Sequence, residues 1–484
     1  MGNPVIRTPA LDRLCREGVV FREAFTPSPV CVPARACMTS GLYPQRTGCL
    51  NNGDRLMIPE GQTFMTGLRE AGYETHGIGK CHFVPDPQAM RGFQQRERSE
   101  EIIERREDDD YALFLEKRGY GHVSHLHGMR SEMYYVPQPS MMPAELHPTQ
   151  WVGDRALSFL KDHTDSKQPW YLYAGFIHPH PPFALPAPWS LLYRACDMPL
   201  PHLPPGYEEL QYFILKYQNR YKYRDRGLDL QFLRTMRAFY YGAISFIDYQ
   251  VGRILEALGE NGQLDNTLII YTADHGEYLG DYGCFGKRGM HDVSVRIPMV
   301  VRCPEYFSPG TVCEEPVSLI DLAPTFLKAA GAQYDAPLDG IDLMSVAEGT
   351  AQREFVFSQY NRGASAVYMA VNRDWKYVYS ATDGKECLFD RKRDPGETRN
   401  CLMAPGKGDI AGEMKACLLR FLKNSGHIEG IDGNDWKHFP PIEIPTDPDA
   451  YLLVQDPEWA DFTVQGYSDP ASPRPLSFHQ LIEL

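Results

Sequence analysis

Three short apolar runs, each ending in side chains that carry charge or bind metal, constrain this chain more than any other feature. Residues 73–79 lead into Lys80 and His82, residues 170–177 (WYLYAGFI) into His178, and residues 268–272 (LIIYT) into Asp274 and His275. Runs of this length, alternating with helical stretches, fit an α/β fold: a large, mostly parallel mixed sheet flanked by helices. In such sheets ligands bind just beyond the carboxyl ends of the strands. Three strands delivering such side chains to one edge therefore point to a site there. Apolar residues at helical spacing over 230–258, from Phe232 through Met236, Phe246 and Val251 to Ile254, predict a long core helix, and residues 299–301 another buried strand.

The texture changes near residue 352. EFVFSQY, AVYMAVNRDWKYVYS and ECLFDRKRDP read as short strands joined by polar turns, with a helix over 409–423 to follow. The expected division is a catalytic α/β domain over 1–350, a smaller C-terminal α+β domain with an antiparallel sheet over 351–430, and an extended arm over 431–484 that offers a homo-oligomer contact.

Formal charge is −14. So acidic a chain is a poor partner for nucleic acid or an anionic membrane surface. An anionic substrate would need a local cluster of cations to overcome the global field. No apolar run reaches the ~18 residues that would span a bilayer. The twelve cysteines are scattered without CxxC pairs. That pattern fits reduced thiols in the cytoplasm better than a disulfide framework, although localisation stays open.

Residues 28–41 read SPVCVPARACMTSG. Cys31 stands at a loop-to-helix junction with Pro33 in the first turn, and Arg35 lies one turn on. A thiol there sits in a field that favours an anion. Taken alone, an ordinary capped helix with a buried thiol explains these residues equally well.

The surrounding residues decide between the two. Cys31-Val32-Pro33-Ala34-Arg35 followed by Thr39-Ser40-Gly41 resembles the signature of the formylglycine-dependent sulfatases, of alkaline-phosphatase-like fold, in which C-x-P-x-R directs oxidation of the cysteine. GLYPQRTG, GIGKCHF, TADHGEYLGDYGCFGKRGMHDVSVRIPMV and KYVYSATDGKECLFDRKRDPGETRN are similar to further segments of that family, and the likeness covers most of residues 1–402. It implies formylglycine made from Cys31 by a maturation enzyme and an anionic sulfate-ester substrate. Asp274 and His275 would be metal ligands together with residue 31, the ion being Ca2+ or, given the imidazole, Mn2+. It further implies Lys80 and Lys287 on the sulfate oxygens, Arg35 holding the nucleophile region, His82 orienting the nucleophile, and His178 as acid for the leaving alcohol.

Other residues carry less. His122, His125 and His127 read as a solvated loop before a pocket or metal site, and Asp108, Asp109 and Asp110 as an exposed acidic face. His180 and His291 divide evenly between site and core roles. One departure matters. The family opens with a buried strand ending in two adjacent aspartates, both metal ligands, whereas MGNPVIRTPALDRL resembles the segment after it. The chain as given is therefore expected to lack one central strand and half the metal site. The natural protein is expected to continue upstream, with substitute carboxylates (Asp108, Asp109 and Asp110 at the remotest) or a pseudoenzyme as the other accounts. Rival functions are a phosphonate monoester or phosphodiester hydrolase with the same nucleophile, and a sulfated-glycan-binding protein without turnover. A phosphatase or phosphomutase relative would place Ser or Thr where Cys31 stands.

Overall fold

A computed structural model describes residues 2–442 apart from 104, 131–133 and 223–228, together with 444 and the backbone of 463–468 and 475–477. Seven strands form the central layer: β1 (Val19–Phe21), β2 (Glu74–Gly79), β3 (Gln95–Arg98), β4 (Trp170–Gly175), β5 (Ile269–Thr272), β6 (Met299–Arg302) and β7 (Thr311–Cys313). In one group β2 lies between β3 and β4, all parallel, with Glu74 opposite Trp170 and Gly79 opposite Gly175. The second group runs β5, β6, β1, β7; β6 is antiparallel to both its neighbours, and β1 is parallel to β7. The four residues of β6, MVVR, are all buried, which is why the sequence shows a continuous apolar run there rather than alternation.

Helices α1 (Pro9–Glu17), α2 (Cys31–Ser40), α3 (Phe64–Glu70), α4 (Pro148–Asp162), α5 (Leu230–Glu260) and α6 (Leu322–Ala329) flank these strands. Helix α5 is the long core helix read from the sequence. Asp229 caps it by accepting from the Phe232 amide, and Leu233, Met236, Phe246, Ile247 and Leu255 form its buried stripe. Helices α1 and α4 pack on it.

The two strand groups face each other at β4 and β5. Trp170 and Ile269, at the starts of these strands, share an apolar cluster with Leu258 and Leu264. Just past their far ends the rings of His180 and His275 come within 6.5 Å. The strands thus point the same way, yet they do not pair, and a cavity of about 900 Å³ lies between them. Pro169 and Gly175 turn their carbonyls to β2, accepting from Glu74 N at 2.9 Å and Lys80 N at 3.0 Å. Because alternate residues of a strand turn their backbone groups to opposite edges, Trp170, Leu172 and Ala174 present N–H and C=O to the cavity.

Beyond residue 350, β8 (Val356–Tyr360), β9 (Val367–Val371), β10 (Trp375–Ser380) and β11 (Lys385–Asp390) form an antiparallel meander backed by α7 (Gly408–Asn424). Phe25, Val30 and Met290 of the larger part interleave with Met369, Val378 and Phe389 of this sheet. Lys376, fully buried on β10, pairs with Asp292 and, at 2.5 Å, with Glu397.

Two expectations need correction. Residues 431–436, placed in the arm, form a small hairpin instead. Its Trp436 is buried because the indole stacks 4.2 Å from Tyr379 and donates to the Tyr377 hydroxyl at 2.8 Å. Most of the remaining arm lies outside the described residues. Nor are Asp108, Asp109 and Asp110 a free acidic face. Asp109 is buried, accepting from the Glu100 and Ala112 amides at 2.8 Å each, and Asp110 accepts from the Arg98 amide at 2.6 Å. The Asp109 and Asp110 carboxylates are committed to backbone.

Candidate active site

Helix α2 begins at Cys31. Val30 before it is extended and offers no side-chain cap, but Asn52 Oδ1 accepts from the Val32 amide at 3.1 Å, so the positive end of the helix is partly satisfied, with the residue-31 side chain at its mouth. Gly41 closes the helix in the left-handed region, its N–H donating to Cys37 O at 2.8 Å. Gly79, at the end of β2, has φ +82°, and a Cβ there would meet Gly175 O at 2.2 Å. Only glycine lets β2 and β4 end side by side and release Lys80 toward α2.

Cys31 is buried, and its Sγ, occupying the place of the oxygens of an oxidised residue 31, is ringed by basic groups. Lys287 Nζ lies at 2.9 Å, His275 Nε2 at 3.2 Å and Lys80 Nζ at 3.9 Å. Burial alone would raise the thiol, but Lys287, then Lys80 and His275, outweigh it and bring Cys31 well below the usual thiol value. This is the local cation cluster that an acidic chain needs in order to hold an anion.

Arg35 ties the elements together. Its Nε donates to Asp274 Oδ2 at 2.8 Å, and Nη1 donates to Lys80 O at 2.6 Å and to the Tyr173 hydroxyl at 2.7 Å. One side chain thus joins α2 to the ends of β2, β4 and β5. Burial would raise the Asp274 carboxyl, but His275 and Arg35 hold it well below the usual range. His275 Nδ1 donates to Gly276 O at 2.8 Å, which leaves Nε2 as the lone-pair side facing Sγ.

Glu101 is the second anion. Its side chain is 5% exposed; Oε2 accepts from Lys80 Nζ at 2.7 Å, and Oε1 accepts from Arg130 at 3.1 Å and lies 3.3 Å from His180 Nδ1. Burial opposes its charge, yet His180, Lys80 and Arg130 keep it well below the usual carboxylate value.

Of the residues expected at the site, Cys31, Arg35, Lys80, Asp274, His275 and Lys287 converge. His82 joins them, its ring within 4.8 Å of Cys31 Sγ and a Glu101 oxygen. His178 does not join them, and this is a correction. It turns back into the core, its ring 4.6 Å from that of His147 and both its nitrogens without a partner. Two residues on, His180 faces the site instead, with Nε2 at 2.9 Å from Lys287 Nζ. Burial lowers His180 to about 4, with Glu101 opposing. In FIHPHPPF nothing in the spacing says which histidine turns forward. Glu101 was missed altogether; the signal was Lys80, since a buried lysine needs a carboxylate. His291 is a core residue, hydrogen-bonded to the Tyr278 hydroxyl at 2.8 Å and stacked on Tyr282. His127 is buried against Tyr111 rather than solvated.

Among the described residues, two groups bring donor atoms within 4.8 Å of one another: Cys31, Asp274 and His275, and Cys31, His82 and Glu101. In the second, Glu101 is already taken by Lys80 and Arg130. In the first, Asp274 has one oxygen held by Arg35 and the other only by the His275 amide at 3.1 Å, so a carboxylate oxygen and the His275 imidazole beside residue 31 suit a divalent cation.

An α/β sheet with an anion-seeking centre at its carboxyl edge is the architecture of an alkaline-phosphatase-like hydrolase. The sulfatase family model matches residues 1–332, and that of the C-terminal part of N-sulphoglucosamine sulphohydrolase matches residues 280–424. The chain belongs to the sulfatase family, whose members are sulfuric ester hydrolases and generally use formylglycine and a metal. It is 28% identical to an arylsulfatase of Clostridium perfringens over 460 residues, 90% of this chain and 92% of the relative. It is 32% identical to a multifunctional alkaline phosphatase superfamily protein of Trinickia caryophylli, over 82% of this chain and 86% of that one. Among solved structures, the phosphonate monoester hydrolase of Silicibacter pomeroyi superimposes with a TM-score of 0.75 at 25% identity, over 90% of this chain and 95% of that one. No helix of the described residues is long and apolar enough to cross a membrane.

Proposed function

We propose that this chain hydrolyses sulfate monoesters, of a sulfated carbohydrate or a small aryl or alkyl alcohol, with residue 31 as formylglycine. The observation that carries the reading is the buried Cys31 at the start of α2 with Lys287 Nζ 2.9 Å from its Sγ. When residue 31 carries a hydrated aldehyde, one hydroxyl supplies the nucleophile and the other allows sulfate to leave as the aldehyde returns. A divalent cation held by Asp274, His275 and residue 31, Ca2+ or Mn2+, would polarise a sulfate oxygen.

The remaining work falls to side chains. Lys80 and Lys287 hold the ester's negative oxygens at a point from which water is excluded by burial. His180 Nε2 accepts from Lys287 Nζ at 2.9 Å and fixes that ammonium beside the departing alcohol oxygen. Arg35 keeps the Asp274 carboxylate ionised and fixed, and His82 borders the nucleophile from the Glu101 side.

A second reading, hydrolysis of phosphonate monoesters or phosphodiesters by the same residues, is favoured by the TM-score of 0.75 to a phosphonate monoester hydrolase. The test is co-expression with a formylglycine-generating enzyme, peptide mass spectrometry across Cys31, and turnover of 4-nitrophenyl sulfate beside 4-nitrophenyl phenylphosphonate. Aldehyde at residue 31 with faster sulfate turnover is expected. Faster phosphonate turnover transfers the assignment to the second reading. Unmodified cysteine throughout, with sulfated glycan bound but not cleaved, removes both.

A further inference from the structure

The site carries a negative charge that binding an anionic ester does not call for. A Glu101 oxygen and the donor nitrogen of His82 lie within 4.8 Å of Cys31 Sγ, where the reacting ester must come. Glu101 follows just beyond β3, and its side chain is only 5% exposed, so solvent screens it little. Both its oxygens are engaged: Oε2 with Lys80 at 2.7 Å, Oε1 with Arg130 at 3.1 Å. Neither is free to bind a cationic part of a substrate.

We propose that Glu101 is a charge filter: it selects ester groups bearing one negative charge over those bearing two. The inference rests on residue 31 being the reacting centre. A sulfate monoester, a phosphonate monoester and a phosphodiester each carry one charge, whereas a phosphate monoester carries two above its second pKa. Repulsion from a fixed carboxylate scales with the charge of the ligand, so Glu101 costs a dianion about twice what it costs a monoanion. Glu101 also draws on Lys80, whose Nζ stands 3.9 Å from Sγ, and so moderates the attraction that a dianion would gain most from. Both effects have the same sign. The site discriminates by a repulsive element built beside the attractive ones. The difference made by one charge on the ligand is the same whatever cation Asp274 and His275 would hold.

The experiment compares wild type with Glu101→Gln and Glu101→Asp at about pH 8, above the second phosphate pKa of about 6. Affinity for phenyl sulfate and for phenyl phosphate is measured by calorimetry on the unmatured Cys31 protein, so the result does not depend on turnover. Matured protein then gives kcat/KM for 4-nitrophenyl sulfate and 4-nitrophenyl phosphate. In Glu101→Gln the ratio of phosphate to sulfate affinity rises on the order of tenfold or more, with the same shift in kcat/KM residing in KM, while Glu101→Asp keeps the wild-type ratio. If Glu101→Gln weakens both ligands equally, Glu101 only positions Lys80 and His180, and the filter is overturned; an unchanged or falling ratio overturns it as well. A shifted binding ratio in protein that turns over neither ester upholds the filter and rejects the hydrolase reading instead.

Discussion

At the scale of single residues, the site depends on Arg35 more than on any other structural contact. Its guanidinium reaches an aspartate, a carbonyl and a phenol at once, a planar fork that lysine's single ammonium cannot reproduce. Removing it leaves the Asp274 carboxylate, only 17% exposed, without its arginine partner. Arg35→Met is therefore expected to lower stability by about 3–5 kcal/mol, read by urea denaturation of the unmatured protein, and Arg35→Lys to recover only part of it. A loss below about 1 kcal/mol would mean that water already compensates Asp274. The motif made Arg35 legible because its spacing from Cys31 is fixed within one helix. His180 and Glu101 depend on how a proline-rich turn and an irregular segment fold back, and no periodicity records that. His178 stands nearest the strand in sequence. The chain, however, turns it toward His147 in the core.

At the scale of elements, β2, β4 and β5 were legible because apolar and aromatic runs bounded by Gly, Pro or polar residues can be nothing else for so few residues. Strand β3, with the sequence QRER, was not legible: it is an edge strand, and charge is what keeps such an edge from pairing further. The antiparallel direction of β6 was equally hidden, since a buried run has no polarity. The facing edges of β4 and β5 give a prediction at this scale. Amides of Leu172 and Ala174 turn to the cavity, whereas those of Tyr171 and Tyr173 turn to β2. Hydrogen exchange followed residue by residue should find the first pair less protected than the second by on the order of tenfold or more. Equal protection would mean that the cavity edge of β4 is hydrogen-bonded, and that the two strand groups close on each other in solution.

Across the whole molecule, buried histidines set the response to acid. Burial lowers His127 to about 4, and His147 and His291 to about 3. Each stays neutral in the folded chain while the unfolded chain takes up a proton near 6.5, so the unfolded state binds more protons below that pH. Stability contributed by the neutral forms is complete above about 6.5 and declines on acidification toward 4, by about 1.4 kcal/mol per pH unit for each histidine. Buried carboxyls act in the opposite sense. Burial raises Asp109 to about 7 and Glu397 to about 6, so the folded chain holds their protons more tightly than the unfolded one and gains stability as pH falls through that range. His178 and His180 are lowered in the same way, and Asp248, Asp281 and Asp321 are raised, so the net slope sums many groups and the informative quantity is a difference. His291→Gln keeps a partner for the Tyr278 hydroxyl and removes one titrating group. Unfolding free energies from denaturant melts between about pH 6.5 and 4.5 should then fall less steeply than in wild type, by about 1.4 kcal/mol per unit. Parallel slopes would show that His291 takes up its proton in the folded chain. The aromatic stack of Tyr212, Tyr282 and His291, which joins the lysine-bearing loop to the meander, would then have to admit a charge.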